Sequence, residues 1–192
     1  MKTKNIMKCF VVIMALLMTT TSVAAQSKGD LKAAKKEAKT FAKEGWKVNA
    51  GYLSLEEQIA NSKPVLREQE NWVVGEARST GSFYDAARAN ALMAAKVNLA
   101  KAVEAQIAGD GELLTGNQQE GQGNAVSAGK YKEVARTRFV NSIKRPKVLM
   151  DCYRDLKNGN VEVQIRLAIP WDQAKLDYEK LMNELEEMAK KQ

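Results

Sequence analysis

Asp151, Asp155 and Glu162 form the one cluster of carboxylates in the sequence that a local element would bring together, and paired carboxylates are the raw material of general acid–base chemistry. Here they flank an Asn158-Gly159 turn, a position with no evident pocket. Cys152 stands between two of them, yet the sequence offers it no base. The chain has no histidine at all. That removes the commonest general base, the commonest zinc ligand and the usual partner of a serine or cysteine nucleophile. The stretch "GEARSTGS" has glycines at 75 and 81, but neither the third glycine nor the lysine of a nucleotide-phosphate loop. Trp46, Trp72 and Trp171 could line a small-ligand site, or they could simply be core. Lys32, Lys35, Lys36, Lys39 and Lys43 could form a basic surface for an anionic membrane or polymer. Only Leu31 and Phe41 are large enough to insert beside them, so a solvated lysine face is the expectation. The residues assign no catalytic, cofactor-binding or metal-ligating position and imply no cofactor.

The elements that would position these residues are readable. "DLKAAKKEAKTFAKEG" is expected to be a helix, with Asp30 as N-cap, Gly45 as stop and Leu31, Ala34, Ala38 and Phe41 as its apolar stripe. Ser54 and Glu57 form an S-x-x-E capping box for a short helix that Pro64 should break near Ser62. Residues 71–79 read as a strand, with Trp72 and Val74 on one face and Val73 and Ala77 on the other. A second capping box, Ser82 with Asp85, opens a long alanine-rich helix to about Gly109. Its stripe runs through Leu92, Ala95, Leu99, Val103 and Gln106/Ile107. Small side chains let a backbone come close, so this helix is expected to lie tight on a sheet.

Residues 110–128, rich in Gly and Gln, read as a mobile loop. Tyr131, Val134, Ala135, Phe139 and Ile143 resume helical spacing until Pro146. "KVLMDCYRDLKNGNVEVQIRLAIP" reads as a hairpin. A two-residue type I′ turn at Asn158-Gly159 would set Cys152 opposite Ile165, Met150 opposite Leu167 and Val148 opposite Ile169, with Cys152 close to the long helix. That register leaves Asp155 opposite Glu162, a like-charge conflict. The tail "WDQAKLDYEKLMNELEEMAKKQ" is a last helix, with Asp172 at its start, Lys190 and Lys191 at its end, and a stripe of Trp171, Ala174, Tyr178, Leu181, Leu185 and Met188. Either it docks on its own domain or it offers a short coiled-coil seam.

The first 25 residues carry Lys2, Lys4 and Lys8, then the apolar run "CFVVIMALLM", then small residues up to Ala25. This is the pattern of a secretory signal cut before Gln26. Without it, the 30 Lys and Arg fall to 27 against 23 Asp and Glu, so the net charge drops from +7 to +4. Such a balance does not point to nucleic acid. Cys152 would be the one remaining cysteine, so no internal disulfide can form. The expected division is a signal over 1–25, an N-terminal helical extension over 26–69, an α+β core over 70–170 and a C-terminal helix over 171–192. The expected class is α+β: a strand, long helix, helix and β-hairpin, with helices packed on a small antiparallel sheet.

"GEARSTGSFYDAARANALMAAKVNLAKAVEAQI" followed by "YRDLKNGNVEVQIRLAI" resembles the family of small membrane-associated bacterial lipoproteins of about twenty kilodaltons, which includes flagellum-associated outer-membrane proteins. "EAKTFAKEGWKV" and "SLEEQIANS" resemble an uncharacterised exported subgroup of Bacteroidota. The resemblance implies a strand–helix–strand–strand core and supplies no catalytic motif. Lipidated members carry a cysteine after the signal, and this chain has none there.

These readings lead to a non-enzymatic exported envelope protein, periplasmic or outer-membrane-associated. It would act through contacts with a second copy or an envelope partner, with no nucleic acid and membrane association peripheral at most. The alternative is a small-ligand binding module of the periplasm.

Overall fold

The computed structural model describes residues 27–109 and 133–190. The expected signal and its cleavage point, the 110–128 loop and Lys191 lie outside these residues. Among the described residues the fold is α+β, with five helices and one three-stranded antiparallel sheet. In chain order the elements are α1 (Lys28–Lys43), α2 (Leu55–Arg67), β1 (Trp72–Gly81), α3 (Tyr84–Gly109), α4 (133–142), β2 (Lys147–Asp155), β3 (Val161–Pro170) and α5 (Trp171–Lys190). The sheet order is β1-β3-β2.

Alternation along β1 and β3 fixes which residues face α3. Val73, Gly75 and Ala77 lie beside Ile169, Leu167 and Ile165 of β3. On α3 the buried residues are Ala87, Ala91, Ala95, Leu99, Val103 and Ile107, spaced four apart, together with Ala100. Side chains along this row grow from alanine at the N-terminal end to Leu, Val and Ile further on. At the small end the helix sits against the strand itself: a Cβ on Gly75 would run into the Ala95 carbonyl and the Leu99 backbone. Gly75 and the alanines are therefore two halves of one fit. Leu92 and Gln106, expected on the stripe, are only partly buried. The larger end joins Phe139 and Ile143 near α4 and Ala174, Tyr178 and Leu185 of α5 in the main core. Tyr178 meets Phe139 edge-on at 5.4 Å between ring centres. Most of the tail stripe is thus spent on its own domain, while Met188 stays exposed.

The opposite sheet face is covered by α1 and α2. Ala34, Trp46, Ile59 and Ala60 pack on Met150 and Cys152, and Val65 packs on Leu149 and Ala168. Two helix expectations change here. Ser27, not Asp30, is the N-cap of α1; Asp30 sits three residues on and completes a capping box with it. α2 runs through Pro64 to Arg67, because Pro64 and Val65 are buried and continue the packing that Ile59 and Ala60 begin. The Ser54–Glu57 capping box of α2 forms as expected. α3 begins at Tyr84, two residues after Ser82.

The hairpin register also differs, by one residue. Leu156 bonds Asn160 (N–H to O, 2.8 Å), and Gly159 N–H bonds the Leu156 carbonyl at 3.0 Å with Gly159 at φ 81°. This is a three-residue loop with a left-handed glycine, not a two-residue type I′ turn. Cys152 consequently faces Gln164, Asp151 faces Ile165 and Arg154 faces Glu162, and a bulge lies between Val148 and Met150. Cys152 is fully buried, but under α1 and α2 and not beside α3. The observed register replaces the Asp155–Glu162 conflict with an Arg154–Glu162 ion pair at 2.7 Å.

Candidate contact site at the sheet edge

The three hairpin carboxylates do not form an acid–base pair. Asp151 faces α3 and is buried, where Arg88 Nε donates to its Oδ2 at 2.8 Å, Arg88 Nη2 lies 2.8 Å from the same oxygen, and the Tyr84 hydroxyl lies 3.4 Å from Oδ1. Asp155 is exposed and pairs with Lys47 at 2.6 Å. Glu162 lies on the other sheet face with Arg154. Each carboxylate therefore has its own cation. Burial works against the Arg88 charge, but the Asp151 carboxylate outweighs it and raises the guanidinium pKa. Burial, then the Asp151 charge, raises the Tyr84 pKa. The Cys152 thiol is pushed up to about 12 by burial and, next, by Asp151. At neutral pH it is a protonated core side chain, not a nucleophile. Among the described residues no group of three or more His, Cys, Asp or Glu is placed to hold a metal ion. No helix among them is long and apolar enough to cross a membrane.

The three tryptophans belong to three different clusters. Trp46 is buried on the α1–α2 side, with the Arg78 and Arg154 guanidinium groups 5.2 and 4.7 Å from its ring centre. Trp171 packs against the main core. Trp72 alone lines a cleft.

That cleft makes the two sheet edges unequal. The outer edge of β2 is closed by three devices. Lys47 and Tyr153 exchange backbone hydrogen bonds of 2.8 Å. The Gln58 side chain acts as a surrogate peptide: its Oε1 accepts from the Asp151 N–H at 2.7 Å and its Nε2 donates to the Asp151 carbonyl at 3.4 Å. Ser62 Oγ donates to the Leu149 carbonyl at 3.1 Å. Gln58 and Ser62 are both buried, one helical turn apart on α2.

Among the described residues the outer edge of β1 has no neighbouring strand in the sheet. Beside its first residues runs an open cleft of about 490 Å³, lined by Leu66 at the end of α2, the polar Gln69 and Glu70, Trp72, Val73 and Val74, and Ala102 and Gln106 of α3. Farther along, Asn98 of α3 donates to the Glu76 carbonyl at 2.8 Å. A strand edge with no strand beside it, next to a cleft that holds Leu66, Trp72 and Val74 among polar neighbours, is a surface that can accept another extended backbone.

None of the three residues that close this edge, Lys47, Gln58 and Ser62, stands out in the sequence alone. A signal was available for two of them. Gln58 and Ser62 are polar residues at i and i+4 on the same turns as Ile59 and Ala60, which implies buried polar groups in need of backbone partners.

Searches with the chain found no matching family model, no matching curated protein and no matching solved structure.

Proposed function

We propose that the protein works by contact, not by turnover: an exported, non-enzymatic protein of the cell envelope whose contact surface is the outer edge of β1 and the cleft beside it. The observation that carries this reading is the contrast between the edges. Three side-chain or backbone devices seal β2, while among the described residues β1 carries one, Asn98 on the Glu76 carbonyl, and lies beside a cleft of mixed lining. Sealing one edge and leaving the other open is how a sheet protein limits pairing to one place. The ion-paired carboxylates and the protonated Cys152 support the absence of an activated catalytic group. The strand–helix–strand–strand order supports kinship with the small envelope lipoproteins, and peripheral membrane contact at most belongs to the same proposal.

Gln106→Trp would fill the cleft from a partly exposed position on α3. In crosslinked envelopes the variant should lose the crosslinked species that the native protein shows, whether self-association or a partner, while its circular dichroism stays unchanged. Crosslinked species that persist unaltered would overturn the reading.

A second reading, a small-ligand module, rests on the cleft volume, which lies within the range of small-molecule sites. A saturable thermal shift with a small molecule, abolished by Gln106→Trp, would favour it.

A further inference from the structure

We infer that the occupant of the β1 edge is a second copy of this chain, paired antiparallel about a two-fold axis beside Ala77, with Phe83 of each copy seated in the cleft of the other. The inference rests on the contact reading above and names its partner.

Three observations converge on that axis. The first is the direction of the backbone groups. The Glu76 carbonyl is reached from outside the sheet by Asn98. In an antiparallel ladder the outward groups belong to alternate residues, so Val74, Glu76, Arg78 and Thr80 present theirs to the open edge. The carbonyl of Glu76 keeps a second lone pair for a partner.

The second is charge. Glu76 and Arg78 lie on the same sheet face, where Glu76 pairs with Arg166 at 2.6 Å and Arg78 donates to Gln164 at 2.9 Å, so a strand laid alongside adds to these partners and must not set like charges together. A two-fold axis at residue 76 would set Glu76 against Glu76 of the second copy, and one at residue 78 would set Arg78 against Arg78. An axis at Ala77 sets Glu76 against Arg78 twice. An axis at Gly75 pairs neither charge with its opposite and sets Arg78 against Trp72. Opposite charges directly across a ladder stabilise it and like charges oppose it.

The third is the placement of apolar surface at the two ends of the strand. The cleft lies at the start of β1, around Trp72. Phe83 lies just beyond its end and is 62% exposed, the most exposed aromatic among the described residues. With the axis at Ala77, Phe83 falls opposite Asn71, one residue from Trp72 and at the mouth of the cleft. At some 3.3 Å per strand residue Phe83 is about 20 Å from the axis and the cleft residues Trp72, Val73 and Val74 about 10–17 Å, so the ring of one copy has to lean back toward the axis to enter the cleft of the other. The same axis avoids like charges across the seam and brings the two apolar features near each other. The product is a six-stranded sheet whose two ends are both sealed β2 edges, so pairing stops at two copies.

Ala77 sits on the axis, so a cysteine there would meet itself. In purified protein carrying Cys9→Ser, where buried Cys152 is the one native thiol, Ala77→Cys should form a disulfide-linked dimer under mild oxidation. Ser79→Cys, displaced by two residues in each copy, should not. Without any added cysteine, Phe83→Ser should raise the dimer dissociation constant by at least about tenfold while the monomer keeps its circular dichroism. A native protein that is monomeric at micromolar concentrations, or crosslinking by Ser79→Cys as readily as by Ala77→Cys, overturns the two-fold pairing. If these fail while Gln106→Trp still removes a crosslinked envelope partner, the second copy is wrong and the contact reading stands. If both fail, both fall.

Discussion

Asp151 on β2 and Arg88 on α3 form an ion pair at 2.8 Å through a single carboxylate oxygen, with the carboxylate almost wholly buried and the guanidinium reaching the surface. The pair ties the outer strand of the sheet to the first turns of the central helix. Breaking one half would strand a buried charge. Arg88→Met should therefore destabilise the protein by about 3 kcal/mol in urea unfolding, while Arg88→Met with Asp151→Leu should recover most of the loss. A single variant as stable as the native protein would show that the pair contributes nothing.

The Cys152 thiol should be silent in the native state. It is fully buried beneath α1 and α2, and its pKa is raised to about 12. A thiol reagent should label it only after denaturation. Because the folded pKa is raised, folding is favoured fully at pH values below the unfolded thiol's pKa. That contribution is lost as pH rises from there toward about 12. Tyr178, also raised to about 12 by burial and then by Glu104, adds to the same alkaline loss. Rapid labelling at neutral pH would remove the second packing layer from the fold.

Acid should act at the opposite end of the scale, on the helix starts. Hydrogen bonds from Ser27 hold the Asp30 carboxyl below its ordinary range, and those from Ser54 do the same for Glu57. With depressed folded pKa values, their contribution is present at pH values above the unfolded carboxyl range, around 4, and is lost as pH falls through the folded values. Asp30→Asn with Glu57→Gln should flatten the acid limb of a melting-temperature profile. An unchanged acid limb would show that the boxes do not titrate with folding.

Gly75→Ala tests the close contact of β1 and α3. The added methyl has no room against the Ala95 carbonyl and the Leu99 backbone, and backbone cannot swing away. The cost should reach about 3 kcal/mol, the upper end for overpacking, measured by urea unfolding. A near-neutral result would mean that the helix stands off the strand.

Much of this was legible in the sequence, and the misses have one physical source. Val73, Ala77 and the alanines of α3 announced a small-residue contact, and it is there. The hairpin register was harder because β2 is buried on both faces: Met150 and Cys152 are as apolar-facing as the residues turned toward α3. Alternation therefore could not choose between registers one residue apart. Asn158-Gly159 did not choose either, since a left-handed glycine serves a three-residue loop as well as a two-residue one. The clue lay in the charges, for only the observed register turns Asp155 against Glu162 into Arg154 against Glu162. The Arg88–Asp151 pair depends on that register and was hidden with it. The unequal edges were hidden further, because they depend on which strand α2 lies across.

Gln58→Ala tests the closed edge itself. Gln58 is nearly buried and gives β2 the acceptor and donor that a neighbouring strand would give. Its removal leaves the Asp151 N–H without its acceptor, which costs about 1–3 kcal/mol for a buried group. It also reopens part of the edge that the two-fold pairing relies on being shut. The variant should melt lower and, at raised concentration, form species larger than two copies, read by light scattering after size exclusion. Gln58→Glu preserves the acceptor toward the Asp151 N–H but loses the donor toward its carbonyl, so it should fall between the native protein and the alanine variant in stability. If Gln58→Ala lowers stability without enlarging the assembly, Lys47 and Ser62 suffice to hold the edge closed, and the side-chain amide serves the fold alone.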